Sequence, residues 1–257
     1  MKKLTKLLAA SLAALTLMGL TACGASAPAD TTAAPAAADT TAAAGLDADV
    51  QAIVDRGVLR VGVKNAVIGF GYQDPITGEY TGMEIDIAKA LADQLGVDVE
   101  FTTVTAATRT ELLDSGDIDC VLATFTITDE RKQSWDFTTP YYTDHVTVLV
   151  EDSSGIKSLA DLKDKLVGVS SGSTSARALT AAMIDAGVIE GTGFDKDTFD
   201  PATWKDGIAF QQFDDYPGIS TALAAGQVDA FCVDKSILAV YKTEGRSYIA
   251  DEFAPQE

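Results

Sequence analysis

Short apolar runs and longer amphipathic stretches alternate along the chain from Val54 onward. Val58–Val63 reads VLRVGV, which is typical of a β-strand, and Gly82–Gly96 reads GMEIDIAKALADQLG. The second stretch repeats apolar side chains at helical spacing, namely Met83, Ile87, Leu91 and Leu95. A glycine directly after such a stretch suits the C-terminal cap of a helix. The pattern therefore predicts a strand followed by an amphipathic helix.

The same alternation continues toward the C-terminus. Strands are predicted over residues 97–104, 118–125, 166–172, 208–213 and 227–234, and helices over 109–116, 158–165, 173–187 and 216–226. The segments TELLDSGDIDCVLA and ISTALAAGQVDAFCV share one design, in which a helix stops at a Gly and an Asp precedes a buried strand. Alternating elements favour an α/β sandwich, and this internal similarity favours two similar lobes.

The connection between the two lobes is expected near residue 150. His145–Gly155 reads HVTVLVEDSSG, a strand that we interpret as leaving the first lobe before a polar junction. The first lobe is therefore expected over residues 46–150, including this crossover strand, and the second over 151–257. Gly187–Gly207 is interpreted as an insertion in the second lobe.

The N-terminus carries a targeting signal. A basic start with three lysines precedes an apolar run from Leu7 to Leu20, which is too short for a typical membrane span. The LTAC sequence that ends at Cys23 resembles the lipobox of bacterial lipoproteins, which implies cleavage before Cys23 and lipidation of its thiol. An ordinary secretory signal with an incidental cysteine is the alternative. We expect a signal peptide over residues 1–22.

Residues 23–45 are expected to form a flexible tether. Ala, Thr, Pro and Asp dominate, and no large apolar side chain is present to offset the entropy of ordering. The other two cysteines, Cys120 and Cys232, lie in apolar strand patterns. Each is expected to be a buried thiol in its own lobe rather than half of a disulfide.

Composition limits the classes of partner. The chain has 257 residues, of which 47% are hydrophobic, and this is enough for a large core. The formal net charge of −19 argues against nucleic acid, because phosphates require clustered Lys and Arg. An acidic small ligand stays compatible, since a buried site responds mainly to nearby charges. No His/Cys cluster has metal-ligand spacing, so we expect no metal and no other cofactor.

One stretch of this acidic chain concentrates hydroxyl groups around an arginine. Thr124–Tyr142 reads TFTITDERKQSWDFTTPYY. A guanidinium presents a rigid fork that matches a carboxylate, and threonine hydroxyls and free backbone N–H groups add donors. The stretch therefore favours a site for a small carboxylate. Surface pairing of Arg131 with Asp129 or Asp136 is the alternative.

Several motifs together resemble the family 3 extracellular solute-binding proteins, the amino-acid receptors of ABC importers. They are RGVLRVGV, GFGYQDPITGEYTGMEIDIAKALADQLG, GDIDCVLATFTITDERKQSWDFTTPYY, SLADLKDKLVGVSSGSTS and GQVDAFCVDKSIL, which occur in the order that is typical of the family. The resemblance covers about residue 50 to the end. It implies a two-lobed, type II periplasmic-binding-protein-like fold, in which each lobe is a mixed sheet flanked by helices. In this family a C-terminal return segment normally follows, and we expect it to be missing after Glu257.

The resemblance also implies a ligand site between the lobes. The segment Ala123–Arg131 corresponds to the one that binds the ligand α-carboxylate, and Asp234 to a carboxylate that binds the ligand ammonium. The expected ligand-binding residues are Lys64, Phe70, Tyr72, Arg109, Ala123, Thr124, Thr126, Arg131, Ser171, Ser173, Thr174 and Asp234.

Structural roles are the alternatives for several of these residues. Phe70 and Tyr72 could be simple core side chains. Ser170–Ser175 lies at a strand-to-helix turn whose N–H groups could face an anion, and a serine-rich turn with an N-cap is the other interpretation. Asp234 could cap the following helix, Arg109 could pair with a neighbouring carboxylate on the surface, and one Asp could serve both as a cap and as a ligand group.

The basic residues indicate the ligand class. In this family, acidic amino-acid receptors commonly carry an Arg at the position of Arg109 and a basic residue at that of Lys64. Three cations, including Arg131, would converge from the first lobe, and a dicarboxylate requires more than one. The resemblance therefore implies a receptor for glutamate or aspartate, with glutamine or another polar amino acid as the alternative.

An enzymatic role is not expected. Gly168–Gly172 reads GVSSG and fits a hydrolase motif, but the one histidine, His145, lies upstream of Ser170 and no base follows. Some dehydratases share the fold and stay as a less favoured alternative. We expect a monomeric, lipid-anchored, extracytoplasmic receptor whose partners are an amino acid and an ABC permease.

Overall fold

The computed structural model describes residues 46–257, which form one compact unit. The predicted signal peptide, the lipidated Cys23 and the tether lie outside the described residues. The first elements are α1 (Ala48–Arg56), β1 (Val58–Val63), β2 (Ala66–Val67), β3 (Gly71–Gln73), β4 (Tyr80–Thr81), α2 (Met83–Leu95), β5 (Asp98–Thr103), α3 (Arg109–Asp114) and β6 (Cys120–Leu122).

The remaining elements begin at Asp144. They are β7 (Asp144–Glu151), β8 (Leu166–Ser170), α4 (Ser175–Asp185), β9 (Ala209–Phe213), α5 (Tyr216–Ala224), β10 (Ala230–Asp234), α6 (Lys235–Leu238), β11 (Arg246–Tyr248) and β12 (Phe253–Gln256). Short 3₁₀ turns cover Arg131–Gln133, Asp152–Ser154 and Leu159–Leu162. The helix expected over residues 158–165 is thus a single tight turn, whereas the other predicted helices are observed.

A parallel three-stranded sheet organises the first half of the unit. Its strand order is β5-β1-β6, so the central strand β1 is buried between two neighbours. Leu59, Val61 and Val63 of β1 pack against Ile85 and Ala88 of α2. This helix covers one face of the sheet, and the carboxyl end of β1 leads directly to Lys64.

Helix α2 buries a different face from the one that its large apolar residues suggest. The buried side chains are Glu84, Ile85, Ala88 and Ala92. Leu91 is 40% exposed, although its spacing places it on the predicted apolar side. Small residues let the helix approach the sheet closely, and this turns the bulky residues toward its flank. The helix was predicted correctly, and its core face was not.

A second sheet of six strands organises the rest of the unit. The strand order is β11-β7-β10-β8-β9, and β12 also pairs with β7. Strand β7 pairs antiparallel with β10, β11 and β12, and β8 is parallel to β9 and β10. Strand β7 therefore belongs to the second sheet. From the sequence, this strand is predicted to belong to the first lobe, as the strand that crosses to the second.

Both faces of the second sheet are covered by apolar layers. Val146, Val148 and Val150 of β7 join the cluster packed under α4, whereas Leu149 joins the cluster packed under α5 and α6. Successive side chains of a strand point to opposite faces, so a strand covered on both sides is apolar at nearly every position. This explains the continuous apolar run of β7.

Both cysteines that the structure describes are free thiols, as the sequence predicted. Cys120 is half-buried in the first sheet, and Cys232 is fully buried in the second. Burial raises the pKa of the Cys120 thiol to about 11, so it stays protonated at neutral pH.

Candidate functional site

Three cationic side chains meet where the two halves of the unit face each other. Lys64 follows β1, Arg109 begins α3, and Arg131 lies in the 3₁₀ turn after β6. Lys64 is 5% exposed and Arg109 is 2% exposed. Within the described residues, none of the three forms a salt bridge. Buried cations are normally paired directly with an anion, so three neighbouring cations without such a pair mark this region as a candidate site.

The two arginines lie against the aromatic ring of Phe125. The Cζ atoms of Arg109 and Arg131 lie 4.1 and 4.4 Å from the centroid of that ring. A ring face attracts a cation, and such contacts stabilise two like charges that would otherwise repel each other at short range. Phe125 was not among the predicted site residues, because an apolar residue in an apolar run looks like core.

Carbonyl oxygens hold the guanidinium of Arg109. Its Nη1 donates to the carbonyl oxygens of Ala123 and Thr124 at 2.9 and 3.0 Å. The neighbouring carboxylate of Asp114 instead accepts a hydrogen bond from the indole N–H of Trp135 at 2.7 Å, and Arg109 forms no salt bridge within the described residues. The surface-pairing alternative for Arg109 is therefore wrong.

Arg131 reaches from the first sheet region to the second. Its Nη1 donates to the carbonyl oxygen of Thr126 at 2.8 Å, and its Nη2 to that of Gly172 at 3.2 Å. In the same turn Asp129 pairs with Lys132. Surface pairing with Asp129 is thus not observed, and Arg131 contacts the opposite wall instead.

The turn after β8 supplies that opposite wall. Ser171 donates its backbone N–H to Phe213 at 2.8 Å, and the hydroxyl of Thr174 donates to the side chain of Gln256 at 2.9 Å. The Ser173 hydroxyl oxygen is buried without a hydrogen-bond partner. Of these three predicted residues, Ser173 alone presents an unsatisfied buried hydroxyl beside the site.

Asp234 ends β10 at the position that precedes helix α6, but its side chain makes no capping hydrogen bond. The cap comes from β7, because the Asp144 carboxylate accepts the backbone N–H of Ser236 at 2.8 Å. One oxygen of Asp234, Oδ1, is buried without a partner. The N-cap interpretation of Asp234 is therefore wrong, and its carboxylate is left available for a ligand.

Glu84 belongs to the site although the sequence reading did not select it. It lies in the first turn of α2 and is completely buried. Its Oε1 accepts the backbone N–H of Thr124 at 2.6 Å and the hydroxyl of Tyr141 at 2.7 Å, while its Oε2 has no partner. The sequence signal for Glu84 is its helical spacing from Ala88, since both residues lie on the buried side of α2.

Burial shifts the pKa values of this charge cluster toward the neutral forms. Burial lowers the pKa of Lys64 to about 7, and repulsion from Arg109 acts in the same direction. The pKa of Arg131 falls to about 9, and that of Arg109 to about 10, for the same primary reason. Burial raises the pKa of Asp234 to about 6, and repulsion from Asp144 adds to it. An anionic group near the cations would reverse the first three shifts.

A cavity of about 440 Å³ borders this cluster on the side of residues 134–142. Glu84, Thr124 and Asp234 line it, together with Phe70 and Phe125. The three cations do not line it. The cavity is therefore a mainly apolar space beside the charge cluster.

The two aromatic candidates near the start of the unit behave differently. Phe70 lines the cavity and packs edge-on against Tyr142, with ring centroids 5.0 Å apart. Tyr72 lies in the small antiparallel sheet, where it pairs with Ala66 and Thr81. Phe70 therefore lies beside the charge cluster, whereas Tyr72 has a structural role as a residue of strand β3.

The described residues contain neither a candidate metal-ligand cluster nor a helix that could span a membrane. In the range 46–257 no three His, Cys, Asp or Glu side chains are arranged to hold a metal ion. No helix in this range combines the length and apolar character required to cross a membrane.

Comparison with known proteins gives the family. A model of the bacterial extracellular solute-binding proteins, family 3, matches residues 59–192. The chain belongs to this family. The match spans β1, the segment Ala123–Arg131 and the turn after β8, so the first and second sheet regions of this solute-binding protein both contribute to it.

Curated relatives of this solute-binding protein cover most of its length. The glutamine-binding protein of Geobacillus stearothermophilus is 33% identical over 253 residues, which are 96% of this chain and 88% of that protein. The ABC transporter glutamine-binding protein GlnH of Bacillus subtilis is 36% identical over 77% of this chain and 66% of its own length. The glutamate-binding protein GluB of Corynebacterium efficiens is 31% identical over 74% of this chain and 60% of its own length.

Solved structures show the same two-lobed architecture. An ancestral arginine-binding protein bound to arginine has a TM-score of 0.62 and 33% identity, and the match covers 78% of this chain and 84% of that one. The ancestral amino acid-binding protein AncCDT-1, a precursor of cyclohexadienyl dehydratase, has a TM-score of 0.64 and 31% identity, over 80% and 82% of the two chains. The type II fold predicted from the sequence is thus confirmed.

Proposed function

We propose that this solute-binding protein captures an amino acid between its two lobes and delivers it to an ABC importer. The observation that carries the proposal is a set of buried, unpartnered polar atoms from both lobes, among them Glu84 Oε2, Arg109 Nε, Ser173 Oγ and Asp234 Oδ1. Buried polar groups are normally hydrogen-bonded, so atoms of this kind at one interface favour a small polar ligand.

The polarity of the site fits an amino acid held in one orientation. Arg131, with the hydroxyl and backbone groups around Thr126, would bind the α-carboxylate, and Asp234 would bind the α-ammonium. Neither Phe125 nor Thr126 donates its backbone N–H to an acceptor in the described chain, so both donors are open to the carboxylate. The charges of the protein and of the ligand would then be paired at both ends.

The formal charge of the site supports an acidic side chain. Three cations, Lys64, Arg109 and Arg131, face two carboxylates, Glu84 and Asp234, which leaves one positive charge. Glutamate or aspartate carries one net negative charge and would balance it, with Lys64 and Arg109 at the side-chain carboxylate. A neutral ligand such as glutamine would leave a buried charge uncompensated.

Titration calorimetry with all twenty amino acids tests this proposal on residues 46–257 and on the full chain. We expect glutamate or aspartate to bind more tightly than glutamine. Tighter binding of glutamine would reject the proposal of an acidic ligand but would keep the proposal of an amino-acid receptor. Two relatives are named as glutamine-binding proteins, which is the alternative that this measurement tests. Absence of binding by every amino acid would reject the receptor itself.

A same-fold dehydratase is the second candidate, and the likeness to a precursor of cyclohexadienyl dehydratase favours testing it. The buried Asp234, whose pKa is raised to about 6, could hold a proton near neutral pH. Incubation with a bound ligand, followed by mass spectrometry, separates the two functions. A receptor returns the ligand unchanged, whereas a dehydratase returns it without the elements of water.

The lipid anchor is part of the proposed function, because a receptor acts close to its permease. Cys23→Ser should abolish incorporation of a labelled fatty acid and release the protein from the cell surface. Unchanged labelling of this variant would reject the anchor and leave amino-acid binding untouched.

A further inference from the structure

Glu84 connects three parts of the site from outside the ligand-binding segments. The carboxylate lies in the first turn of α2, and its Oε1 accepts hydrogen bonds from the Thr124 backbone and from the Tyr141 hydroxyl. These two partners come from opposite ends of the stretch that follows β6. The carboxylate therefore joins the helix, the strand end and the aromatic loop at one atom.

The backbone that Glu84 holds has an unfavourable conformation. Thr124 has a φ of +47°, in the left-handed region that a β-branched residue rarely adopts. Such backbone strain persists only where the surrounding structure imposes it. The hydrogen bond of 2.6 Å from the N–H of that residue to Glu84 helps to hold this conformation, and the next two residues, Phe125 and Thr126, line the cavity.

The second oxygen of Glu84 is free, and its charge acts on the cations. Oε2 is buried without a partner, and the carboxylate lines the cavity beside Asp234. Burial raises the pKa of Glu84, while Lys64 and Arg109 oppose that shift. The carboxylate thus offsets part of the positive charge that would otherwise attract an acidic ligand side chain.

We propose that Glu84 is a positioning and specificity-determining residue, which shapes the carboxylate-binding turn through Oε1 and limits the preference for acidic ligands through its charge. The proposal rests on amino-acid binding at this site. The two effects of this side chain can be separated. The hydrogen bonds of Oε1 depend on the length of the side chain, whereas the effect on ligand preference depends on its negative charge.

Two substitutions separate these effects. Glu84→Gln keeps the reach and an acceptor oxygen but removes the charge, so the ratio of glutamate affinity to glutamine affinity should rise by about fivefold or more. Glu84→Asp keeps the charge but is one methylene shorter, so both affinities should fall by about tenfold while their ratio stays at the wild-type value. Calorimetry with both ligands gives the ratios, and thermal unfolding identifies any variant that does not fold.

Each outcome decides the proposal. A ratio that does not change in Glu84→Gln, or one that changes equally in both variants, overturns the specificity role. Failure of both variants to fold assigns Glu84 to the stability of the first lobe alone and also overturns it. If the wild type binds no amino acid, the proposed function fails, and that result is distinct from wild-type binding with an unshifted ratio.

Discussion

At the scale of single residues, the two arginines differ in what they contact. Arg131 bridges the two walls of the cleft, whereas Arg109 is anchored to carbonyl oxygens of its own lobe. A residue at the closing interface should affect every ligand. A residue behind the ligand side chain should affect the choice among ligands.

Arg131→Met should weaken the binding of every amino acid by roughly two to three orders of magnitude. The reason is that loss of one partner of a buried charge pair costs about 3–5 kcal/mol, and each 1.4 kcal/mol is tenfold in affinity.

Arg109→Gln should weaken the binding of glutamate far more than the binding of glutamine. Calorimetry on both variants checks this, and an equal loss for the two ligands in Arg109→Gln would remove the acidic assignment.

Lys64 should make stability depend on alkaline pH. Its pKa is about 7 in the folded chain and 10.5 in an ordinary lysine, so between these values the unfolded chain binds more protons. The free energy of unfolding therefore rises with pH in this window. Urea unfolding from pH 6 to 10 should show a rise in the wild type that is absent in Lys64→Met. Parallel curves for the two proteins would show that Lys64 is not desolvated in solution.

At the scale of elements, Arg177 of α4 contacts both the first sheet region and the segment that the sequence predicts to be an insertion. Arg177 of α4 donates through Nη1 to Glu130 at 2.7 Å and to the carbonyl oxygen of Lys196 at 3.0 Å. Lys196 lies in the stretch that the sequence marked as an insertion. The carbonyl oxygen of Lys196 thus holds a cation that pairs with Glu130 at the surface.

Arg177→Met should speed ligand release by up to about fivefold, because an exposed ion pair contributes about 0.2–1 kcal/mol. Stopped-flow displacement measures the rate. Lys132→Met is the matched control, since Lys132 pairs with Asp129 within a single turn. Equal effects of the two substitutions would assign the change to surface charge in general and reject a bridge between the lobes.

At the scale of the whole molecule, the two lobes approach at backbone distance. A Cβ added to Gly172 would lie 2.7 Å from the carbonyl oxygen of Ala106, and Gly172 has a φ of +73°. Only glycine allows both the conformation and this approach. The turn after β8 therefore packs directly against the backbone of the first lobe.

Gly172→Ala should hinder closure and weaken ligand binding by about tenfold or more, since 1.4 kcal/mol is tenfold. Gly155→Ala is the matched control, because Gly155 has the same φ of +73° and no atom within 4 Å of an added Cβ. Small-angle scattering with ligand should show a more open Gly172→Ala protein. Compaction equal to that of the control would contradict this account of closure.

The sequence by itself determined the family, the order of the main strands and helices, and four charged candidates for the site, namely Lys64, Arg109, Arg131 and Asp234. These depend on local patterns, such as the apolar run of β1, the helix over α2 and the hydroxyl-rich segment around Arg131. The alternation of strand and helix is readable because each element needs its own apolar period.

Only the tertiary structure decided how these elements use their residues. It turned Glu84 inward and Leu91 outward on α2, paired β7 with the second sheet, and gave the cap of α6 to Asp144 so that Asp234 stays free. In each case the partner is distant in sequence, as Asp144 is from Ser236. Helical spacing and strand runs describe a residue's neighbours along the chain, whereas burial and hydrogen bonding depend on which elements pack together.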